Sequence, residues 1–221
     1  MAPPCATTFN EDINGWNVGR VTTMYGMFHP TTVFNTPLNA WNVAKVTDMQ
    51  NMFRGARSFN QPIDGWDVGQ VTNMDSLFYG ASSFNQPLNA WNVGQVTSMG
   101  TTFTEAVAFN QPLDAWNVGQ VSGMFATFSS ATAFNQPLEA WNVGRVASFE
   151  HPDHPGRYMF NNAIALSDCH KLNIHASFKA QVPAVWPYDW SGLDISTCSS
   201  PPPPADGAVL ELAGTEPKIH F

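Results

Sequence analysis

The stretch FNQPLNAWNVGQVTSMGTTFTEAVA, residues 84–108, decides the fold because its pattern returns throughout the chain. Phenylalanine followed by asparagine recurs with a 25-residue period, and tryptophan keeps the same spacing. The phenylalanines are Phe9, Phe34, Phe59, Phe84, Phe109 and Phe134, and the tryptophans are Trp16, Trp41, Trp66, Trp91, Trp116 and Trp141. A fixed period of this length is typical of proteins whose repeats bury their apolar faces only against neighbouring repeats. The sequence therefore predicts an α/β solenoid of six repeats.

Each repeat contains two different hydrophobic patterns. Trp91 and Val93 alternate with polar residues, which predicts a short strand in the segment AWNVG. Met99, Phe103 and Ala106 have the spacing of one helical face, which predicts a short helical arm. Stacked repeats would place the strands in one parallel β-sheet, with the arms beside it.

The repeated large side chains are expected to form the core. A buried tryptophan removes on the order of 200 Å² from water and contributes a few kcal/mol, which exceeds any surface ion pair. An asparagine also follows each repeated phenylalanine, where its amide can bond to neighbouring backbone groups. These asparagines predict a ladder along one bend: Asn10, Asn35, Asn60, Asn85, Asn110 and Asn135.

The string FNQPLxxWNVGxVTxM followed by xxMFxxAxx, most complete at residues 34–83, resembles the BspA-like class of leucine-rich repeat proteins. The resemblance covers about residues 9–166. It implies a leucine-rich-repeat-like, right-handed coil, and bacterial members of the class are often surface proteins. It also implies binding to other macromolecules or cells, without enzymatic activity and without catalytic residues to transfer.

The chain outside the regular repeats divides into short segments. Phe149 takes the place of a column methionine, and seven extra residues precede Met159, where the pattern resumes. The predicted organisation is a lead-in at residues 1–8, repeats at 9–166 with an insertion at 150–158, a C-terminal cap at 167–200, and a proline spacer and tail at 201–221. The tail is either loose or docked on something else.

The cap is predicted to contain a helix in SDCHKLNIHASFKAQ, with Ser167 or Asp168 as its N-cap. A plausible helical pattern joins Leu172, His175, Ala176, Phe178 and Lys179. Trp186, Tyr188 and Trp190 are expected to pack onto this helix, because a terminal repeat needs a different outer face.

Composition restricts the classes of function. Hydrophobic residues make up 43% and charged residues 12%, so amides and hydroxyls must cover much of the surface. The net charge of −8, with scattered basic residues, argues against a nucleic-acid partner. No apolar run is long enough to span a membrane, and the sequence MAPPCATTF lacks the layout of a secretory signal. The compartment stays open.

Two groups of residues suggest chemistry, but neither is a strong motif. His151, Asp153 and His154, with Glu150 and His170 as possible neighbours, form either a metal site or a solvated loop. Cys169 stands next to His170 and is either a nucleophile or one half of a bridge to Cys198. We expect no enzyme activity, no bound metal and no cofactor.

The strand face is the predicted binding surface. Its central column comprises Asn17, Asn42, Asp67, Asn92, Asn117 and Asn142, flanked by alanine or glycine. These side chains either hydrogen-bond to one another or contact a partner. A second column contains Thr22, Thr47, Thr72, Thr97 and Ser122, which either cap helices or turns or meet a crystalline or carbohydrate surface.

These observations favour a non-enzymatic protein–protein interaction or scaffold protein, or an accessory subunit of a larger assembly. The partner would bind the strand face or the C-terminal cap and tail, and any link to a membrane would run through that partner. The alternative is a glycan-, cell-surface- or ice-binding adhesion protein that uses the repeated asparagines and threonines.

Overall fold

The computed structural model describes residues 8–193 and Cys198. Each repeat forms one layer of turns, and equivalent residues of successive layers lie next to each other. Within the described residues there is one helix, α1 (Asp168–Gln181), and no strand. Isolated parallel bridges join Thr23 to Asp48, Asp48 to Asn73, Asn73 to Ser98, Ser98 to Gly123 and Gly123 to Ser148, and an antiparallel bridge joins Glu150 to Tyr158. The predicted α/β leucine-rich-repeat-like solenoid, with one parallel β-sheet and helical arms, is therefore wrong.

The predicted strand is replaced by two turns. The Trp91 amide donates to the Leu88 carbonyl at 3.0 Å, and the Val96 amide donates to the Val93 carbonyl at 2.9 Å. Between them, the Gly94 amide donates to Oδ1 of Asn92 at 3.2 Å. A sheet needs these amides for a neighbouring strand, so local turn formation prevents a continuous ladder.

The predicted helical arm is replaced by turns that also bond to the next layer. The amides of Met99, Thr101 and Phe103 donate to carbonyls of the following layer at 2.8–2.9 Å. The amide of Thr104, the residue after Phe103, instead donates to the carbonyl of Thr101, three residues earlier in the same layer. In a helix every amide donates to the carbonyl four residues earlier. Here some amides donate to the next layer and others within their own layer, so this segment is not a helix.

Residues with a left-handed backbone conformation allow some amides to bond to the next layer while others bond within their own layer. Thr101 has a φ of 55° and Glu105 a φ of 59°, which turns successive peptide groups in opposite directions. In the regular repeats the left-handed positions are Gly26, Asn51, Ser76, Thr101 and Ala126 and, four residues further on, Gly55, Gly80, Glu105 and Ser130; Gly156 in the insertion and Asn162 after it are also left-handed. Side chains other than glycine are strained there, so the surrounding layers must hold them in place.

The tryptophans form a continuous column inside the stack, as the sequence predicts. From Trp41 to Trp141, successive rings lie 6.4–6.5 Å apart with planes within 4° of parallel. Each indole N–H also donates to a carbonyl of the preceding layer, as from Trp91 to Ile63 at 3.0 Å. Trp16 differs from the prediction, because it lies in the first described layer and is 55% exposed.

Phenylalanines fill the remaining interior in two parallel columns. In the first, from Phe9 to Phe134, ring centroids lie 5.8–6.3 Å apart. In the second, from Phe28 to Phe160, they lie 5.3–5.8 Å apart. The predicted aromatic core is confirmed for the buried members of these columns.

The predicted asparagine ladder is also confirmed. Oδ1 of Asn60 accepts the backbone amide of Asn85 at 2.9 Å, and Oδ1 of Asn85 accepts that of Asn110 at 2.9 Å. The neighbouring Gln86 donates from Nε2 to the Asn60 carbonyl at 3.0 Å. Each asparagine therefore satisfies a backbone amide of the following layer that would otherwise lack a partner.

The cap helix α1 continues the bonding pattern of the layers. Ser167 is its N-cap, and the Ser167 amide donates to Oδ1 of Asn135 at 2.9 Å, where the next asparagine of the ladder would lie. At the other end of α1, Oε1 of Gln181 accepts the Val143 amide at 2.7 Å, and Nε2 donates to the Trp141 carbonyl at 3.0 Å. The helix therefore satisfies backbone groups of the last layer.

The predicted aromatic packing on the cap is confirmed. Trp186 lies 5.2 Å from Phe178 and 5.1 Å from Tyr188, measured between ring centroids. Of the predicted helical pattern, His175 and Phe178 are buried, whereas Ala176 and Lys179 are exposed. Ile174, which the pattern omitted, is fully buried.

The seven-residue insertion is visible in the bonding between layers. The Phe103 amide donates to the carbonyl of Thr127 in the next layer. One repeat later, the Phe128 amide would meet Pro152 if the period were unbroken, but it donates to Met159 instead. The displacement equals the insertion, and the layers on both sides stay in register.

A disulfide joins Cys169, in the first turn of α1, to Cys198. It closes a segment with a sequence separation of 29, which in the chain-entropy model stabilises the fold by about 3–4 kcal/mol. The predicted spacer and tail at 201–221, and all of the lead-in except Thr8, lie outside the described residues.

Replacing Trp91 with alanine should lower the free energy of unfolding by about 3–5 kcal/mol, because it leaves a cavity and an unpaired Ile63 carbonyl. Denaturant unfolding measures the change. The matched control is Trp16→Ala, whose exposed ring should cost less than about 1 kcal/mol. Equal losses in both variants would contradict the column.

Asp75 is a polar group whose stability contribution depends on pH. Its Oδ1 accepts the Ser98 hydroxyl at 2.6 Å and the Gly100 amide at 2.7 Å. Burial raises the pKa of this carboxyl above its ordinary 3.8, although the two hydrogen bonds oppose the rise. Folding therefore favours the neutral acid, and stability is lost as pH rises through the folded-state pKa.

Asp75→Asn should raise the melting temperature at pH 7, because asparagine keeps Oδ1 as an acceptor and cannot ionise. The gain should disappear at about pH 3, where the aspartic acid is neutral in both folded and unfolded chains. Calorimetry at the two pH values measures the effect. A gain of the same size at both would show that it does not arise from ionisation.

Candidate functional site

The six predicted partner-binding residues lie on one exposed surface, which we call the amide strip. They are Asn17, Asn42, Asp67, Asn92, Asn117 and Asn142, and all are exposed. The surface is formed by turns and not by a strand face, which corrects the prediction. In every case Oδ1 accepts the backbone amide two residues further on, at 3.1–3.2 Å.

This bonding tests one of the two predicted roles of the column, the mutual hydrogen-bonded ladder. Within the described residues, the strip side chains bond to their own turns and not to one another. The interpretation that they form a mutual hydrogen-bonded ladder is therefore wrong. Fixed by their Oδ1 bonds, the five asparagines present Nδ2 donors, one in each of their layers, whereas Asp67 presents a carboxylate oxygen instead.

Small residues beside the strip leave its side chains uncovered. A Cβ added to Gly94 would lie 3.2 Å from Oδ1 of Asn92, and one added to Gly69 would lie 3.4 Å from Nδ2 of the same residue. Such contacts are tight, so a larger residue would press on the strip. The glycines therefore keep the surface beside the strip open, although the turn itself also accepts alanine, since the Ala44 amide donates to Oδ1 of Asn42 at 3.1 Å.

Charge varies along the strip. Three residues after each strip position, an exposed column contains Arg20, Lys45, Gln70, Gln95, Gln120 and Arg145. Positive charges therefore lie towards the two ends of this column, and Nη1 of Arg145 donates to Oε1 of Gln120 at 2.5 Å. Beside Asn92 and Asn117 the surface is neutral. This arrangement suits hydrogen bonding to a polar partner and not proton transfer.

The exposed hydroxyl column does not cap helices, contrary to one prediction. The Thr72 hydroxyl donates to the Thr47 carbonyl at 3.1 Å, and the Thr97 hydroxyl donates to the Thr72 carbonyl at 3.1 Å. Thr47 and Ser122 donate to the preceding layer in the same way. The hydroxyls therefore join layers and are held in a regular order.

The histidine loop folds back on itself. Nδ1 of His151 accepts the Asp153 amide at 3.1 Å, and the ring lies 4.6 Å from that of His154. Burial, then the neighbouring His154, lowers the pKa of His151. His170 lies elsewhere, with Nδ1 2.8 Å from Oδ1 of Asn135. In residues 8–193 with Cys198, no group of three or more His, Cys, Asp or Glu side chains is placed to hold a metal ion.

The nucleophile interpretation of Cys169 is wrong, because its sulfur is bonded to Cys198. A thiolate is the reactive form of cysteine, and the bridge removes it. The alternative prediction, a single structural bridge, is confirmed.

Sequence reasoning missed a cluster of charged and aromatic side chains on another surface. The Tyr79 hydroxyl donates to Oε1 of Glu105 at 3.0 Å, and Nη2 of Arg157 lies 3.2 Å from the same oxygen. The Arg54 guanidinium lies 4.7 Å from the centre of the Tyr79 ring. A signal was present in the sequence, since Arg54 and Tyr79 stand where the next two repeats have Thr104 and Ser129.

Among the described residues, no helix has the length and apolar character needed to cross a membrane. No curated protein and no solved structure matches the chain significantly. One family model does match, described as Mycoplasma protein of unknown function, DUF285, over residues 4–74 and 62–173. Because the two matches together span well over half of the 221 residues, the chain belongs to the DUF285 family.

Proposed function

We propose that this chain is a non-enzymatic binding protein that contacts another protein through the amide strip, as a scaffold or as an accessory subunit of a larger assembly. The observation that supports this most is the alignment of six exposed side chains, each held by a backbone hydrogen bond.

The physical properties of the strip suit a broad contact. The strip has six positions, one in each of six successive layers, so it offers a row of hydrogen-bonding groups to one partner. Because Oδ1 already holds each side chain, binding would restrict few additional rotations and so lose little entropy. The uncharged part of the strip at Asn92 and Asn117 favours a polar, weakly charged partner, and Asp67 in the layer before Asn92 adds a single acid.

The C-terminal cap offers a second contact in the same proposal. The exposed residues of α1 include Ala176, Lys179 and Ala180, and the helix is fastened to the last layer through Gln181. A partner that binds α1 would therefore be positioned rigidly relative to the stack.

A second candidate function rests on the hydroxyl column. Its exposed hydroxyls, Thr47, Thr72, Thr97 and Ser122, are ordered by bonds to the preceding layer and repeat once per layer. A regular row of this kind favours contact with a repeating surface such as a glycan or ice. Thermal hysteresis or binding to a glycan array supports this candidate, and the absence of both counts against it.

The amide strip is tested by Asn92→Arg combined with Asn117→Arg. Two cations in adjacent layers should reduce affinity for a partner captured with the wild-type protein by at least about tenfold, because they place bulk and unpaired charge on the uncharged part of the strip. Surface plasmon resonance with the purified partner measures the affinity.

The matched control is Ser58→Arg combined with Ser83→Arg. These residues are exposed, hold equivalent positions in successive repeats and lie outside the strip, so the control adds equal charge elsewhere. Affinity should then stay within about twofold of the wild type. A partner that binds the strip variant normally but not the control would reject the strip as the contact surface.

A further inference from the structure

An open groove of about 420 Å³ lies on the surface that carries Tyr79. Its lining includes Arg54 and Tyr79, which hold equivalent positions in successive repeats, and Arg57 and Ser82, which hold another equivalent pair. With His29 at one end and Glu105 at the other, the groove therefore follows the stack across four successive repeats and uses residues outside the amide strip.

Two glycines create the groove. Gly55 and Gly80 line it at equivalent positions, with left-handed φ values of 72° and 67°. In the following layers Glu105 and Ser130 adopt the same left-handed conformation, with φ values of 59° and 58°. The turn therefore tolerates a side chain, and glycine at two neighbouring layers leaves room for a ligand.

The groove carries positive charge, because the acidic residue in its lining is already paired with another arginine. Glu105, the acidic residue in its lining, forms an ion pair with Arg157 at 3.2 Å. Arg54 is oriented by the Tyr79 ring and by Oδ1 of Asn51, 3.3 Å from its Nη1. Arg57 is exposed, and its guanidinium makes no hydrogen bond to the described residues. Two guanidinium groups therefore face the groove in a chain of net charge −8.

We propose that this groove binds a small organic ligand through a carboxylate, sulfate or phosphate group. Guanidinium donors are arranged in a planar fork that matches two oxygens of such a group. Arg57 supplies the donors without breaking an existing bond, and Arg54 adds a second, already oriented charge. The Ser82 hydroxyl and the His29 ring line the remaining polar surface.

The binding test uses four matched probes with the full chain: glucose, glucuronate, glucose 6-sulfate and glucose 6-phosphate. Calorimetric titration should give a Kd of about 1 mM or tighter for at least one anionic probe and no saturation with glucose. The anion that binds most tightly identifies the acidic group. Equal binding of glucose and its anionic derivatives, or saturation by none of the four, would overturn the proposal.

Substitutions copied from neighbouring repeats locate the binding. Arg57→Ser reproduces Ser82 and should weaken the tightest anionic probe about tenfold. Gly80→Ser reproduces Ser130, fills the groove and should weaken the probe at least as much. The control Arg145→Gln reproduces Gln120 and removes the same charge elsewhere, so affinity should not change.

Circular dichroism confirms that each variant is folded. If Gly80→Ser fails to fold, Arg57→Ser still tests whether the groove binds the anion. The Arg57 side chain is exposed and bonds to no described residue, so its removal should not affect folding. Equal affinity in Arg57→Ser and the wild type would overturn the site. The strip variant Asn92→Arg with Asn117→Arg should retain anion binding, so this test stands apart from the proposed function.

Discussion

Each layer of this protein must satisfy the backbone of its neighbours while closing its own turns. Alternate amides, such as those of Met99 and Thr101, bond forward to the next layer, whereas the amide of Thr104 closes a turn within its own. This division requires left-handed residues at fixed places and leaves no continuous run of amides for a sheet or a helix. The aromatic columns stabilise the stack, but backbone bonding determines its form.

The sequence predicted the layers and their contents because both follow from a 25-residue period. Trp91, Phe84 and Asn85 each meet their equivalents in adjacent layers, as the spacing requires. The local geometry was predicted wrongly, because Met99 and Phe103 have helical spacing but are positioned by bonds to another layer. Hydrophobic spacing reports which residues are buried, and it cannot report which carbonyl an amide will find.

The amide strip and the groove differ in how far the sequence predicts them. The amide strip was predictable because it repeats, and each asparagine has the spacing of an Asx turn to the residue two further on. The groove depends on departures from the repeat: Arg54, Arg57, Gly55 and Gly80 each replace a different residue elsewhere. These departures can be seen in the sequence, but only the stacking of the layers shows that they line one groove.

The cap also constrains how the length of such a chain can change. Oδ1 of Asn135 accepts the Ser167 amide of the cap, and the Gln181 side chain hydrogen-bonds to backbone groups of the final layer. A repeat can therefore be duplicated or deleted without altering this junction, provided that only whole repeats are gained or lost. Any other change must leave the stack as an external loop, as the residues between Phe149 and Met159 do. Homologous chains should accordingly differ in length by whole 25-residue repeats, and any shorter insertion should lie in a loop outside the stack.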